Sequence, residues 1–408
     1  MLVSTQEGFG IQGVSIEQIG EEFGTPLYIY DGEKIKTQFH FLKDAFEGVD
    51  VKIKYAAKAL TNINVLKLLK KEGAGLDVVS INEVKIGLLA GFEPHEIMFT
   101  PNSAGFEELE EAIEIGVQLN VDNIPFLQLI GQKYGHDVPV CIRLNPHIVA
   151  GGNEKIQVGH IKSKFGISVD QTEEILSVVK QYNIHVNGVH IHTGSDILDI
   201  ELFLKGANIL FDFARNFAEL DFLDFGGGFK VAYYQGAAVT DVAEYGKIMT
   251  AAFLKFCKEY GKELQIWFEP GKFLVSESGT LLVQATLIKP TPAVVFAGVN
   301  SGFNHLIRPM FYGAHHDIVN VSNPSGEQKM YTIVGNICET DTFAEDREIS
   351  EIRVGDYLAF KNAGAYGFEM SSNFNSRLKP AEVLVENNQA RIIRKRQTFE
   401  DLLTNQIL

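Results

Sequence analysis

Four short segments hold residues whose types and spacing could do chemistry. Lys58 closes the apolar, β-rich run Val51-Lys52-Ile53-Lys54-Tyr55-Ala56-Ala57-Lys58-Ala59. A lysine at the carboxyl end of a buried strand is a candidate Schiff-base former, because desolvation lowers its pKa and frees the amine as a nucleophile. A second run ends in His190-Ile191-His192-Thr193-Gly194-Ser195. Strand alternation puts both histidines on one face, and the closing Gly-Ser offers amide and hydroxyl donors of the kind phosphate oxygens need. Core or surface histidines are the plain alternative; a metal would need a carboxylate or cysteine set, and none is evident beside them. Asp224-Phe225-Gly226-Gly227-Gly228-Phe229 removes every Cβ from one stretch of backbone, so its amides can close around an anion, or simply turn. Phe268-Glu269-Pro270-Gly271-Lys272 brings a carboxylate out of an apolar strand, which is costly without a cationic partner. That partner is either a protonated ring nitrogen or Lys272.

These groups need a frame that gathers strand ends. From about residue 51 to 271 short apolar runs alternate with longer stretches of helical periodicity, the pattern of βα units. Eight strands are expected, at 51–59, 75–79, 96–102, 117–123, 138–146, 186–194, 220–228 and 264–271. Eight such units read as an α/β fold of the (β/α)8 TIM-barrel type, with the reactive groups at the carboxyl ends of the strands. A doubly wound sheet is disfavoured because the first βα turn lacks a glycine-rich dinucleotide fingerprint. Beyond Gly271 the texture is β-rich, at 281–288, 293–299, 331–334, 357–360, 381–385 and 390–393, with a hairpin turn expected at Glu386-Asn387-Asn388-Gln389. Residues 281–408 are therefore expected to form a second, all-β domain of sandwich or barrel type. Residues 1–30 join it through Leu27-Tyr28-Ile29-Tyr30, leaving 31–280 as the barrel. A closing helix over 398–407, capped by Thr398, is also expected.

Composition narrows the classes of function. A formal charge of -16 argues against a surface that tracks nucleic-acid phosphates. The short basic run 391–396 is expected to face water on a strand. Three scattered cysteines, at 141, 257 and 338, suit neither a disulfide framework nor a zinc site, so no metal is expected and a reducing cytoplasm fits. No basic-then-apolar leader and no apolar run of ~18 residues is present, so neither export nor membrane insertion is expected.

On one barrel, an amine on strand one, a histidine with anion donors on six, a glycine turn on seven and an acid on eight all face the same end. Pyridoxal 5'-phosphate needs this set: a Schiff-base lysine, an anion cradle, and a carboxylate that keeps the pyridine nitrogen protonated so that the ring accepts electrons.

The segments Tyr55-Ala56-Ala57-Lys58-Ala59, His-Ile-His-Thr-Gly-Ser, Gly-Gly-Gly-Phe and Glu-Pro-Gly-Lys resemble, in order and spacing, the fold-type III pyridoxal phosphate decarboxylases. Three further segments resemble the diaminopimelate decarboxylase branch: 304–313 (Asn-His-Leu-Ile-Arg-Pro-Met-Phe-Tyr-Gly), Ile337-Cys338-Glu339-Thr340-Asp341, and 363–368 running on to Ser372-Asn373-Phe374-Asn375-Ser376-Arg377. The resemblance covers about residues 25–385. It implies Lys58 as the Schiff-base lysine, His192 stacked on the ring, and Glu269 on the ring nitrogen. Ser195, Gly227, Gly228, Gly271 and Lys272 would serve the phosphate, with Asp77, Arg143 and Tyr366 as further cofactor contacts. Arg308 and Tyr312 would grip a distal carboxylate, Glu339 a distal amino group, with Lys272 and Tyr366 also near substrate. Cys338 would act near the reacting carbon, from the other subunit of a homodimer whose active site lies at the subunit interface. The implied reaction is loss of carbon dioxide from meso-diaminopimelate to give L-lysine; a related carboxylated or carrier-linked amino acid is the alternative substrate. A substrate with an amino-acid group at each end independently calls for one cationic and one anionic grip far from the reacting Cα, and a guanidinium fork suits the carboxylate. From the residues alone, Arg308 could equally be a rim salt bridge, Tyr312 and Tyr366 core aromatics, and Cys338 a small buried hydrophobe. Three positions depart from the family pattern: Lys272 stands for an arginine, Leu60 for an asparagine and Asn300 for an aspartate.

Overall fold

The computed structural model describes residues 1–5, 8–148, 159–234 and 236–407. The chain divides into two compact units: Thr37–Val231 with Ala238–Phe273, and Met1–Lys36 with Ala232–Ala237 and Leu274–Leu408.

The first unit is a closed ring of eight parallel strands. They are β1 Val51–Ala56, β2 Gly75–Val78, β3 Ile97–Phe99, β4 Gln118–Val121, β5 Val140–Asn145, β6 Val186–Ile191, β7 Phe222–Asp224 and β8 Gln265–Phe268. Each pairs with the next, and β8 returns to β1 through Ile266↔Val51 and Phe268↔Ile53. All eight expected strands are present; β2 and β5 stop one residue before the expected run does, and the other six stop two to four residues before it. Those trailing residues form the loops at the barrel mouth. Helices return the chain between strands; Ile63–Lys71, for example, starts at Asn62, whose side chain accepts the Asn64 N–H at 3.0 Å, and buries Val65, Leu66, Leu68 and Leu69. In Phe106–Ile115, Leu109 and Ala112 are buried while the glutamates form the wet face.

Alternation inside the barrel produces two layers with opposite character. Met98, Cys141, Phe222 and Trp267 form an apolar cluster, with the Phe222 and Trp267 rings stacked at 3.6 Å. Gly188 makes this possible, since a Cβ there would lie 2.2 Å from the Phe222 ring. Phe222→Ala would cost about 3–5 kcal/mol. Two residues further along the same strands stand Arg143, Asp224 and Glu269, all buried. The period of two thus lifts a charged layer onto the apolar one.

The second unit is mainly β. Its longest strand, β9 Gly279–Pro290, pairs antiparallel with Leu27–Asp31, Val295–Val299 and Tyr357–Phe360. Leu27–Asp31 lies parallel to Ala381–Glu386 on its other side, so the N-terminal run joins this sheet as expected. Leu27, Ile29, Leu282, Ala359, Val383 and Val385 share its core. The hairpin Ala381–Glu386/Gln389–Arg394 turns at Asn387 (φ 52°) and Asn388 (φ 60°), the positive pair that a tight two-residue turn demands. Gln389–Arg394 carries most of the basic run on a largely exposed strand. Strands Ile318–Asn320 and Thr342–Ser350 were not anticipated. The closing helix is shorter than expected, Phe399–Leu403, with the Thr398 N–H donating to Asp401. Residues Ala232–Ala237, from the loop after β7, also belong to this unit: Ser276 Oγ donates to Tyr233 Oη at 3.1 Å, and Asn362 Nδ2 donates to the Ala232 carbonyl. No helix among the described residues is long and apolar enough to cross a membrane.

Candidate active site

Lys58 does not lie on a buried strand. The β1 ladder ends at Ala56, and Lys58 sits on the 3-10 turn Ala57–Ala59 with its side chain 44% exposed and its Nζ 3.0 Å from Asp77 Oδ2 at the end of β2. The lysine that burial desolvates is Lys54, whose amine donates to the Glu96 carbonyl at 3.0 Å, lies 4.2 Å from the Trp267 ring and is pushed down to about 8. What presents Lys58 is therefore an ion pair with a buried acid at the barrel mouth. Lys58 is thus placed by position and by that ion pair, not by a dry pocket.

Glu269 has a partner, and it is not Lys272. Its Oε2 lies 3.2 Å from His190 Nε2, and both residues are buried. His190 Nδ1 in turn lies 2.9 Å from Asn120 Nδ2, which the network assigns as donor, leaving Nε2 as the N–H that faces Glu269. Burial opposes ionisation of Glu269, but His190, Lys58 and Arg143 together hold its carboxyl well below the usual carboxylate range. Asp224, from β7, comes within 4.8 Å of His190 and Glu269. The sequence showed no carboxylates beside the histidines; the fold supplies two, from strands distant in the chain. Burial and the charge of Glu269 push Asp224 well above the carboxylate range, and the same two causes raise Asp77. Arg143 is buried and stacks over Phe165 at 5.1 Å.

The glycine turn is built by crowding. A Cβ on Gly226 would lie 2.6 Å from His192 Nδ1, on Gly227 2.6 Å from the Glu269 carbonyl, and on Gly228 2.7 Å from the Gly194 carbonyl; Gly226 and Gly228 also have φ of 66° and 112°. Two of the three amides are already used: Gly226 N–H donates to Asp224 Oδ1 at 2.8 Å and Gly227 N–H to His192 Nδ1 at 3.2 Å. The Gly226 and Gly227 amides thus face protein acceptors, with Gly227 turned toward His192. Burial, and then the charge of Arg143, push His192 down to about 3, so its imidazole is neutral at ordinary pH. Ser195 Oγ accepts from Lys272 Nζ at 3.1 Å, and Lys272 also pairs with Asp196. Lys272 thus belongs with the Gly-Ser end of β6. Gly271 lies in contact range of Ala56 and Ala59, beside the Lys58 turn.

These residues fit pyridoxal phosphate. Glu269 Oε1 is buried with no hydrogen-bond partner among the described residues, so one oxygen of an ionised acid remains for a ring N–H. Ser195, Gly228 and Gly271 occupy adjoining loops suited to a phosphate.

In the β unit, Arg308 opens the short helix Arg308–Tyr312 and is buried. It donates to the Ala365 carbonyl at 3.3 Å and lies over the Tyr233 ring at 4.9 Å, while its Nε has no partner among the described residues. It is not a rim salt bridge. Tyr312 is half-buried at the end of that helix, and Tyr366 holds a φ of 55°, a strained value for an aromatic residue. Cys338 and Glu339 are exposed, which removes the reading of Cys338 as a buried hydrophobe; its Sγ accepts from Asn375 Nδ2 at 3.2 Å. No hydrogen bond or ring contact among the described residues joins Cys338 or Glu339 to the Arg308 group. Asn300, one of the departures, ties the Gln284 N–H to Thr25 and so has a structural duty. Leu60, another, is buried and its carbonyl accepts from Tyr55 Oη at 3.0 Å. Asn120 was missed by sequence reasoning, and His190 and Asp224 were named there only within their segments; His190 shares the phase of its strand with His192, whereas the strand of Asn120 carried no assigned residue.

An eight-stranded parallel barrel with a lysine, a glycine turn and a buried acid at its strand ends, joined to a β unit, defines a pyridoxal phosphate-dependent decarboxylase. The family model described as pyridoxal-dependent decarboxylase, pyridoxal binding domain, matches residues 32–276. The chain belongs to that family and, within it, to the diaminopimelate decarboxylases. It is 38% identical to the diaminopimelate decarboxylase of Methanothermobacter thermautotrophicus over 97% of this chain and 95% of that one, and 35% identical to that of Campylobacter jejuni over 94% and 96%. Among solved structures, the Helicobacter pylori diaminopimelate decarboxylase complexed with L-lysine matches with a TM-score of 0.88 at 33% identity, covering 95% of this chain and 98% of that one. The enzyme from M. jannaschii in complex with L-lysine matches with a TM-score of 0.91 at 31% identity, covering 100% and 98%.

Proposed function

We infer that this chain is a pyridoxal phosphate-dependent carboxy-lyase that converts meso-2,6-diaminopimelate to L-lysine and carbon dioxide, the last step of lysine biosynthesis. The observation that carries the chemistry is Glu269, held ionised beside His190 with one oxygen open. Bound in this barrel, pyridoxal phosphate supplies an electron sink for the pair left at Cα when the carboxylate departs. Glu269 keeps the ring nitrogen protonated. His192, being neutral, would pack on the ring without opposing that charge. Lys58 would hold the cofactor covalently, with Asp77 and Arg143 supporting the ring and Ser195, Gly228 and the Gly271 loop holding the phosphate. Lys272 fixes Ser195 as a point charge where a guanidinium would have gripped oxygens in a fork.

Arg308 and Tyr312 grip the distal carboxylate, and Glu339 the distal amino group, with Tyr366 beside the cofactor. Cys338 or Lys58 returns a proton to Cα after carbon dioxide leaves. The working form is a cytoplasmic homodimer in which Cys338 serves the site of the partner subunit; its exposure and the absence of disulfides among its three cysteines support this reading. The test is release of carbon dioxide from meso-diaminopimelate with stoichiometric L-lysine. Release only from a related carboxylated amino acid would move the chain to another decarboxylase of the same fold, and no release from either would sink the assignment.

A further inference from the structure

Asp224 is a buried acid that the reaction described above does not use. It ends β7, between the strands that carry His190 and Glu269. One oxygen, Oδ1, accepts the Gly226 N–H at 2.8 Å, inside the glycine turn. The other, Oδ2, is buried without a hydrogen-bond partner among the described residues, and so is Oε1 of Glu269. As two carboxylates neither can donate to the other, and Oδ2 of Asp224 stays orphaned in a dry interior even with a ring N–H on Oε1 of Glu269, at a cost comparable to a lost hydrogen bond. A single proton held between them relieves the repulsion and satisfies Asp224 at once.

The surroundings decide which residue carries that proton. Glu269 faces the His190 N–H at 3.2 Å, and the positive charges of Lys58 and Arg143 also favour its ionised form. Asp224 faces the negative charges of Glu269 and Asp77, with the Gly226 amide as its close donor and Lys54 as the cation on its lower side. We propose that Asp224 is a positioning residue that stays protonated, donates to the Glu269 carboxylate, and through Gly226 locks that acid to the glycine turn. The arrangement leaves one full negative charge, on Glu269, to meet the ring nitrogen. It also couples the two ends of the cofactor site, because the residue that orients the acid also pins the φ 66° turn at Gly226.

This rests on the reading of Glu269 as the ring-nitrogen acid, and the experiment separates the two. Infrared difference spectra of the holoenzyme, wild type minus Asp224→Asn, are recorded at pH 8. A protonated-carboxylic-acid carbonyl band, present in the wild type and lost in the variant, is the expected result; no such band, with a carboxylate band lost instead, overturns the proposal. Coenzyme retention gives a second readout. Asp224→Asn keeps a neutral donor and should bind pyridoxal phosphate at least about fivefold more tightly than Asp224→Leu, which has none. Equal weakening in both would mean that the lost charge matters and would overturn it too. Should Asp224→Leu fail to fold, the isosteric variant's spectrum decides alone. If Glu269→Gln leaves the bound-coenzyme absorption spectrum unchanged from pH 6 to 9, the parent reading of Glu269 fails, whatever Asp224 does.

Discussion

Nε2 of His190 stands 3.2 Å from Oε2 of Glu269, although 79 positions of chain separate them and β7 runs between their strands. The geometry answers the main ambiguity of the Phe-Glu-Pro-Gly-Lys segment. A surface-type pair between Glu269 and Lys272, three residues apart, would have made the acid ordinary. Lys272 turns instead to Ser195 and Asp196, and the acid is left inside the barrel with His190 Nε2 3.2 Å away.

Replacing Glu269 by glutamine removes the charge while keeping shape. The expected outcome is a fall in kcat of at least about 100-fold, near 3 kcal/mol of transition-state stabilisation, with coenzyme still bound. Steady-state carbon dioxide release beside the coenzyme absorbance measures both. Wild-type turnover in the loaded variant would remove Glu269 from the mechanism.

Borohydride treatment of the holoenzyme should leave a reduced pyridoxyl adduct on the peptide that contains Lys58, readable by mass spectrometry. Lys58→Ala should carry none and lose about 10³-fold or more in kcat. An adduct on Lys54 or Lys272 would reassign the lysine.

His192 should remain neutral through the working range. Its folded-state pKa, about 3, is below the ordinary 6.5, so below pH 6.5 the unfolded chain takes up a proton that the folded chain refuses. Its contribution to stability is therefore fully present above pH 6.5 and is lost as pH falls toward 3. Melting temperature against pH in the apoprotein should show a shallower acid-side decline for His192→Gln than for wild type between pH 6.5 and 4.5. Parallel curves would contradict this.

The buried guanidinium of Arg308 should select for a distal carboxylate. Arg308→Lys keeps the charge and loses the fork, so KM for meso-diaminopimelate should rise about 10- to 100-fold, the worth of one charge-assisted hydrogen bond or two. Inhibition by a 1,5-diamine lacking carboxylates should change little. Equal losses for both compounds would point to a structural role at Ala365 and Tyr233.

In the β unit, Asn388 holds φ at 60° in the hairpin turn. Asn388→Gly should be near neutral and Asn388→Ala should cost about 1 kcal/mol, seen as a lowered denaturation midpoint. Equal midpoints would show that the turn relaxes.

Legibility followed the range of the interactions. All eight barrel strands, the entry of Leu27–Asp31 into the β sheet and the Asn-Asn turn are set by alternation and turn chemistry within a few residues, and each was readable. Thr342–Ser350 was not, because Glu345-Asp346-Arg347-Glu348 in its middle looks like a solvated charge run. It becomes a strand because Gln328–Val334 offers a ladder to pair with. The closing helix was overextended for the converse reason: none of its residues is buried to hold further turns.

By itself the sequence determined the barrel, the family and the groups that gather at the strand ends, since each is written in local period, in glycines that crowding requires, and in motifs of contiguous residues. Only the tertiary structure decided what each group faces. It moved desolvation from Lys58 to Lys54, gave Glu269 to His190 in place of Lys272, turned the Gly226 and Gly227 amides inward, and set Asp224 beside the acid. Those outcomes depend on burial and on charges gathered from residues up to 211 positions apart, as when Lys58 acts on Glu269, and no local pattern encodes a field assembled from distant strands.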